Sequence, residues 1–151
     1  MQLLIKITGL LLVLSVSSAV GFMRAAAVKT REKRLFELYL CMCDLKERIR
    51  LENGELKEVL KKSFGEKVTE TESGFFVISV NGILGEDEKI INGYLSSAGM
   101  SDPDAEYERA ELCASLVKNL HSAAAADSAQ LCKLYKTLGF TAGLFICIFL
   151  I

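Results

Sequence analysis

Proline occurs once in these 151 residues and tryptophan not at all. An all-β sandwich or barrel needs frequent turn punctuation, so this scarcity points the fold class away from both. Histidine also occurs once, and the neighbours of His121 at helical spacing are Val117, Lys118, Ala124 and Ala125. No acid or nucleophile stands ready to work with it, so it reads as an exposed or interfacial histidine. There is no P-loop, dinucleotide fingerprint, HExxH, GxSxG or paired CxxC. Cys41 and Cys43 point their thiols to different sides of a helix with no third or fourth ligand nearby, which reads as buried cysteine rather than metal chemistry. The acids at Glu86 to Glu88 and from Asp102 to Glu111 read as helix starts, not as general acids or bases. The sequence therefore offers no catalytic residue, no cofactor site and no metal ligand, and reads as a protein that is not an enzyme. A net charge of -1 also lacks the basic excess that nucleic-acid binding needs.

Charge is missing in a second sense, by position. No charged side chain lies between Lys6 and Arg24, and none follows Lys136 up to Ile151. With 51% hydrophobic and 25% charged residues, the mean hydropathy of +0.32 fits only a chain whose apolar and charged residues are segregated. The first apolar run, Ile7 to Met23, together with Gln2 to Ile5 reaches the ~20 residues that cross ~30 Å of hydrocarbon. It contains small residues, Gly9, Ser15, Ser17, Ser18, Ala19 and Gly21, that let helices approach closely in lipid, although their spacing is not a GxxxG. Directly after it come Arg24, Lys29, Arg31, Lys33 and Arg34 with a single acid, Glu32, whereas Lys6 alone precedes it. Basic residues beside a span favour the cytoplasm. The second run, Thr137 to Ile151, is short for a span, but Leu131, Leu134 and Tyr135 extend its apolar face while Lys133 and Lys136 can snorkel. Its basic residues again lie on the domain side. The expected organisation is an N-terminal transmembrane helix over 1–27, a cytoplasmic helical domain over 28–136 and a C-terminal transmembrane segment over 137–151.

Two rival readings export the domain. In one, Lys6, the Leu10 to Leu14 core and Ser17-Ser18-Ala19 form a cleaved signal peptide, leaving a surface protein tethered by its hydrophobic tail. In the other, the small residues at Ala123 to Ala129 and the tail form a glycolipid-anchor signal. The basic cluster after the first run disfavours both. So do Cys41, Cys43, Cys113, Cys132 and Cys147, an odd set without the spacing of a disulfide framework.

Between the runs the periodicity is helical. Leu35, Leu38, Met42, Leu45 and Ile49 recur at threes and fours from Thr30 to Glu52, with Asn53-Gly54 as the stop. A second helix is expected over Glu55 to Phe64, on Leu56, Val59, Leu60 and Phe64, closed by Gly65. Ser73 to Leu84 carries the aromatic and β-branched string Phe75 to Val80, but with no evident pairing partner it reads as a buried helix or irregular segment. Glu86, Asp87 and Glu88 then open a helix through Ile90, Ile91, Tyr94 and Leu95 that Gly99 ends. The clearest start in the chain is Asp102-Pro103-Asp104-Ala105-Glu106, with Asp102 as N-cap and Pro103 at the first helical position. From there no breaker appears, and Ala110, Cys113, Leu116, Val117, Leu120, Ala124, Leu131, Leu134 and Leu138 form one stripe. A helix of about 70 Å would run on into the second apolar run. The fold class is thus all-α: a helical bundle between two transmembrane helices, the last helix long and continuous into the C-terminal span.

The string Leu134-Tyr135-Lys136-Thr137-Leu138-Gly139-Phe140, followed by Ala142-Gly143-Leu144, resembles the ending of the stage III sporulation protein AB family. Gly93 and the Ala98-Gly99-Met100-Ser101-Asp102 string with Glu106 resemble that family's Gly, Leu-Gly-x-Ser/Thr-Asp and Gln positions, with Ala98 in place of Leu and Glu106 in place of Gln. The Pro usual at the start of the family's second helix is missing around Gly54 to Leu56. The resemblance implies an integral protein of the cell membrane whose domain faces the mother-cell cytoplasm, without a cofactor. It implies a part in the secretion-like channel between mother cell and forespore that endospore formation needs. The domain would be similar to the inner-membrane platform proteins of type II secretion and type IV pilus systems. The implied partners are the cytoplasmic sporulation ATPase of the stage III sporulation protein AA type, the channel's other membrane proteins, and as a further candidate a second copy of the chain. Gly93, Gly99, Asp102 and Glu106 are the candidate partner-binding residues, and Arg24, Lys29, Arg31, Lys33, Arg34, Lys133 and Lys136 the candidate membrane-orienting ones.

Overall fold

The computed structural model describes residues 2–51, 56–71 and 74–150. In chain order these form α1 (Gln2–Leu51), α2 (Leu56–Phe64), one 3-10 turn (Gly65–Lys67), β1 (Val68–Glu70), β2 (Phe76–Ile78), α3 (Gly85–Leu95) and α4 (Pro103–Leu150). The fold is all-α apart from the short hairpin. Between the first apolar run and the amphipathic stretch, Arg24-Ala25-Ala26-Ala27-Val28-Lys29 holds no Gly or Pro, and α1 continues through it. The expected stop at Asn53-Gly54 and the expected helix start at Glu55 lie outside the described residues. The chain divides into two compact units, one of residues 1–29 and 125–151 and one of residues 30–124; α1 and α4 contribute to both.

In the unit of residues 30–124, four helices meet in one core, joined by Phe76 and Ile78 of β2. Leu38, Met42 and Leu45 of α1, Val59, Leu60 and Phe64 of α2, Ile91 and Leu95 of α3, and Ala110, Cys113 and Val117 of α4 are buried together. At about 1.5–3 kcal/mol for each large side chain buried, this cluster is the main driving force for the unit. The periodic stripe read from α1 is accurate at its centre, where Leu35, Leu38, Met42 and Leu45 are all fully buried.

Two expectations need correction. The Phe75 to Val80 segment is not helical: β2 pairs antiparallel with β1 in the register Val68↔Ile78, Thr69↔Val77 and Glu70↔Phe76. Its burial alternates, Phe76 and Ile78 inward and Val77 outward, which is the period of a strand. The partner lies immediately upstream and is only three residues long. The hairpin is also bonded to a helix, because the backbone N–H of Ile78 donates to Oδ1 of Asn92 on α3 at 2.8 Å. Gly99 does not end α3 either. The helix stops at Leu95, and a turn follows whose amides at Ser96, Ser97 and Ala98 donate to the carbonyls of Asn92, Tyr94 and Leu95. Gly99 closes that turn at φ +86°, a conformation that disfavours any side chain.

Candidate functional site

The unit of residues 1–29 and 125–151 is a pair of antiparallel helices held by a seam of small residues. The Cys147 thiol donates to the Leu10 carbonyl at 3.5 Å, the Ser17 hydroxyl to the Gly139 carbonyl at 2.7 Å, and the Cys132 thiol to the Ala25 carbonyl at 3.3 Å. Residue numbers fall along α4 as they rise along α1, which fixes the antiparallel register. The backbones nearly touch. A Cβ on Gly21 would lie 2.6 Å from the Tyr135 carbonyl oxygen, and one on Gly139 would lie 3.0 Å from both the Gly21 Cα and the Ser17 carbonyl. Gly143 is similarly close to Ser17, where a Cβ would come within 3.2 Å of Ser17 Cβ. Of the small residues singled out in the first run, Ser17 and Gly21 take part, whereas Gly9 is exposed and a Cβ there would meet nothing within 4 Å. The sequence held a better signal than those residues taken singly. Ser17, Gly21 and Ala25 are spaced four apart, and Gly139-x-x-x-Gly143 is a GxxxG in the second run, the spacing that lets two helices approach closely where hydrophobic attraction between them is weak.

Both helices are long and apolar enough to cross a membrane, and only 11% and 6% of their most apolar stretches are buried. That exposure is not what the core helix of a water-soluble domain shows. The cations assigned to orientation fall into two groups. Arg24, Lys29, Lys33, Lys133 and Lys136 are exposed, and the Lys136 ammonium stands 5.6 Å above the Phe22 ring, an arrangement suited to the headgroup level. Arg31 and Arg34 are instead committed within the helical domain: Arg31 binds Asp87 through two contacts at 2.9 and 3.1 Å, and Arg34 binds Glu37 at 3.0 Å. Asp87 is buried and also accepts the Leu84 N–H at 3.2 Å at the start of α3. Leu84 has no side-chain acceptor to answer it, so this is half of a capping box.

The candidate partner-binding residues sit around the turn between α3 and α4. Gly93 is exposed on α3, and its carbonyl accepts the hydroxyls of Ser96 and Ser97, each at 3.2 Å. Gly99 and Asp102 are exposed; the Asp102 carbonyl accepts the Glu106 N–H at 2.8 Å, the first bond of α4, as expected of an N-cap residue. Glu106 is different. It is only 2% exposed, neither carboxylate oxygen has a hydrogen-bond partner, and its nearest cation is Arg109 at 3.6 Å. Sequence reasoning missed Arg109, which donates to the Ser97 carbonyl at 3.1 Å and to the hydroxyls of Ser97 and Ser101, and so clamps the turn onto α4. Tyr94 lies buried beside Glu106 with its hydroxyl unsatisfied. Burial first, and then the Glu106 charge, push the Tyr94 phenol above the ordinary tyrosine range. Burial alone pushes the Cys113 thiol up to about 11. Among the described residues no group of three or more His, Cys, Asp or Glu side chains is placed to hold a metal ion.

No curated protein and no solved structure matches the chain. Residues 79–151, which run through α3, the Arg109-clamped turn and α4, match the family model of stage III sporulation protein AB.

Proposed function

We propose that this sporulation-related protein is a non-enzymatic membrane platform, with its helical domain in the mother-cell cytoplasm and its two apolar segments paired in the membrane. In this reading it is a component of the secretion-like channel that joins mother cell and forespore, and its domain docks the cytoplasmic sporulation ATPase and neighbouring channel proteins. The observation that carries the reading is the glycine seam: two apolar segments 122 residues apart in sequence are joined from Ser17 to Gly139, in the packing that suits lipid. A cleaved signal peptide would discard half of that seam, which favours a retained first helix over the exported alternative. The exposed cations Arg24, Lys29, Lys133 and Lys136 flank the seam at the headgroup level and support a cytoplasmic domain. Exposed Gly93, Gly99 and Asp102 remain the docking candidates, while Glu106 acts from within, through the shape of the turn.

The deciding experiment is a topology reporter inserted at Gly65, between α2 and β1. Activity of the cytoplasmic format alone is expected; activity of the exported format alone overturns the platform reading. The partner is tested by co-purification of the ATPase with the full chain and with an Asp102→Lys variant, which is expected to weaken it.

A further inference from the structure

Beside the glycine seam, the pair formed by residues 1–29 and 125–151 carries a groove of about 670 Å³, within the ~300–1,000 Å³ that ligand sites occupy. Its floor is the seam itself, at Gly21 and Gly139, and larger side chains such as Leu12, Val16 and Ile146 stand along it. Small residues between large ones make a channel rather than a flat wall. One end is chemically distinct, because Arg24 and Tyr135 line it there, and Arg24 is the one charged residue of the lining. From Leu12 to Arg24 the helix rises about 18 Å at 1.5 Å per residue, close to the ~15 Å depth of one leaflet of a ~30 Å hydrocarbon core.

We propose that this groove holds an acyl chain of one anionic phospholipid, with the headgroup phosphate paired to the Arg24 guanidinium and hydrogen-bonded by the Tyr135 hydroxyl. The lining carries a cation and no acid, so it complements a phosphate and would leave Arg24 uncompensated against an apolar helix of another protein or of a second copy. The glycines that would admit a third helix closely are already spent on the seam. The inference rests on the membrane reading above and adds a specific lipid site to it.

The test uses the full chain, purified from membranes and reconstituted in nanodiscs containing equal phosphatidylglycerol and phosphatidylcholine, with retained lipid counted by native mass spectrometry. One phosphatidylglycerol per chain is expected in preference to phosphatidylcholine by about fivefold, the size of one basic contact at an anionic surface. Arg24→Gln should remove the preference, Lys29→Gln should keep it, and Ala142→Phe, which fills the groove, should lose the bound lipid while its circular dichroism stays helical. Equal retention of the two lipids, equal effects of Arg24→Gln and Lys29→Gln, or a dimer that appears on delipidation would each overturn the proposal; the last would place a second copy in the groove. A chain that fails to enter the membrane fraction at all would instead remove the membrane reading itself.

Discussion

Arg31 and Asp87 meet side by side, Nε to Oδ2 at 2.9 Å and Nη2 to Oδ1 at 3.1 Å, 56 residues apart in sequence. The pair fastens the start of α3 to α1 where the Asp87 side chain is 3% and the Arg31 side chain 22% exposed. Removing one partner strands the other in a site with little water, so Asp87→Ala is expected to cost about 3 kcal/mol, the lower end for a broken buried pair because Arg31 keeps some solvent. The double replacement Arg31→Met with Asp87→Leu should recover most of that loss. Chemical unfolding of the full chain in detergent, followed by circular dichroism, measures both; a double variant no more stable than Asp87→Ala would show that the pair is more than a local fastener.

The same pair bears on membrane orientation. A guanidinium neutralised by Asp87 adds little to the charge that a membrane inserts against, so Arg31→Gln is expected to leave the Gly65 reporter unchanged. Replacing Arg24, Lys29 and Lys33 together by Gln should move a measurable fraction of the reporter to the opposite side. If Arg31→Gln alone had that effect, the division of the cations into exposed and committed groups would be wrong.

At the helix pair the contrast is between two glycines of one helix. A methyl group at Gly21 would press on the Tyr135 carbonyl at 2.6 Å, against backbone that has nowhere to go, whereas one at Gly9 meets nothing within 4 Å. Gly21→Ala is therefore expected to destabilise the pair by about 1–3 kcal/mol, as overpacking does, and Gly9→Ala to be neutral or slightly stabilising through helix propensity. Thermal unfolding in detergent compares the two; equal melting temperatures would argue that the seam is not a fixed contact.

These features differ in how far the chain announces them. The three-and-four spacing of Leu35, Leu38, Met42 and Leu45 reports its own burial, because one helix face is enough to define it. The strand at Phe76 to Ile78 does not, since its identity depends on a three-residue partner that no periodicity can reveal. The Arg31–Asp87 contact is hidden for the same reason, as a tertiary pairing between elements. The burial of Glu106 was legible in part: it stands in step with Ala110, Cys113 and Val117 on the inward stripe of α4, but the acids around it resemble an ordinary helix start. Likewise Gly139 and Gly143 display a packing motif, while its partner surface at Ser17 and Gly21 needs the fold.

That inward position makes Glu106 a strained choice. A buried carboxyl group with both oxygens unsatisfied is costly where water is excluded, and Arg109 at 3.6 Å, itself partly solvated, offsets only part of it. Glu106→Gln keeps the shape, removes the charge and provides an amide donor for the Tyr94 hydroxyl. It is expected to raise stability by about 1 kcal/mol at neutral pH, seen as a higher denaturant midpoint with an unchanged slope. A lower midpoint would mean that the Glu106–Arg109 attraction outweighs the burial of the charge.

Alkaline pH should act on the same core. The Cys113 thiol sits at about 11 instead of its ordinary 9.0 because it is buried, and the Tyr94 phenol is raised above its ordinary 10.0 by burial and by Glu106. In both cases the folded state holds the proton more tightly than the unfolded chain does. The resulting stabilisation is complete below the unfolded values, and is lost as pH climbs from about 9 through the folded thiol value near 11 and, for the phenol, above 10. Within its window each group contributes a slope of up to about 1.4 kcal/mol per pH unit. Stability measured by denaturant midpoint is expected to be flat with respect to these two groups from pH 7 to 9 and to fall steadily above. Cys113→Ala should remove the part of the slope that begins near pH 9, and Tyr94→Phe the part that begins near pH 10. A Cys113→Ala profile parallel to the parent up to pH 11 would show that the thiol ionises without the cost its burial implies.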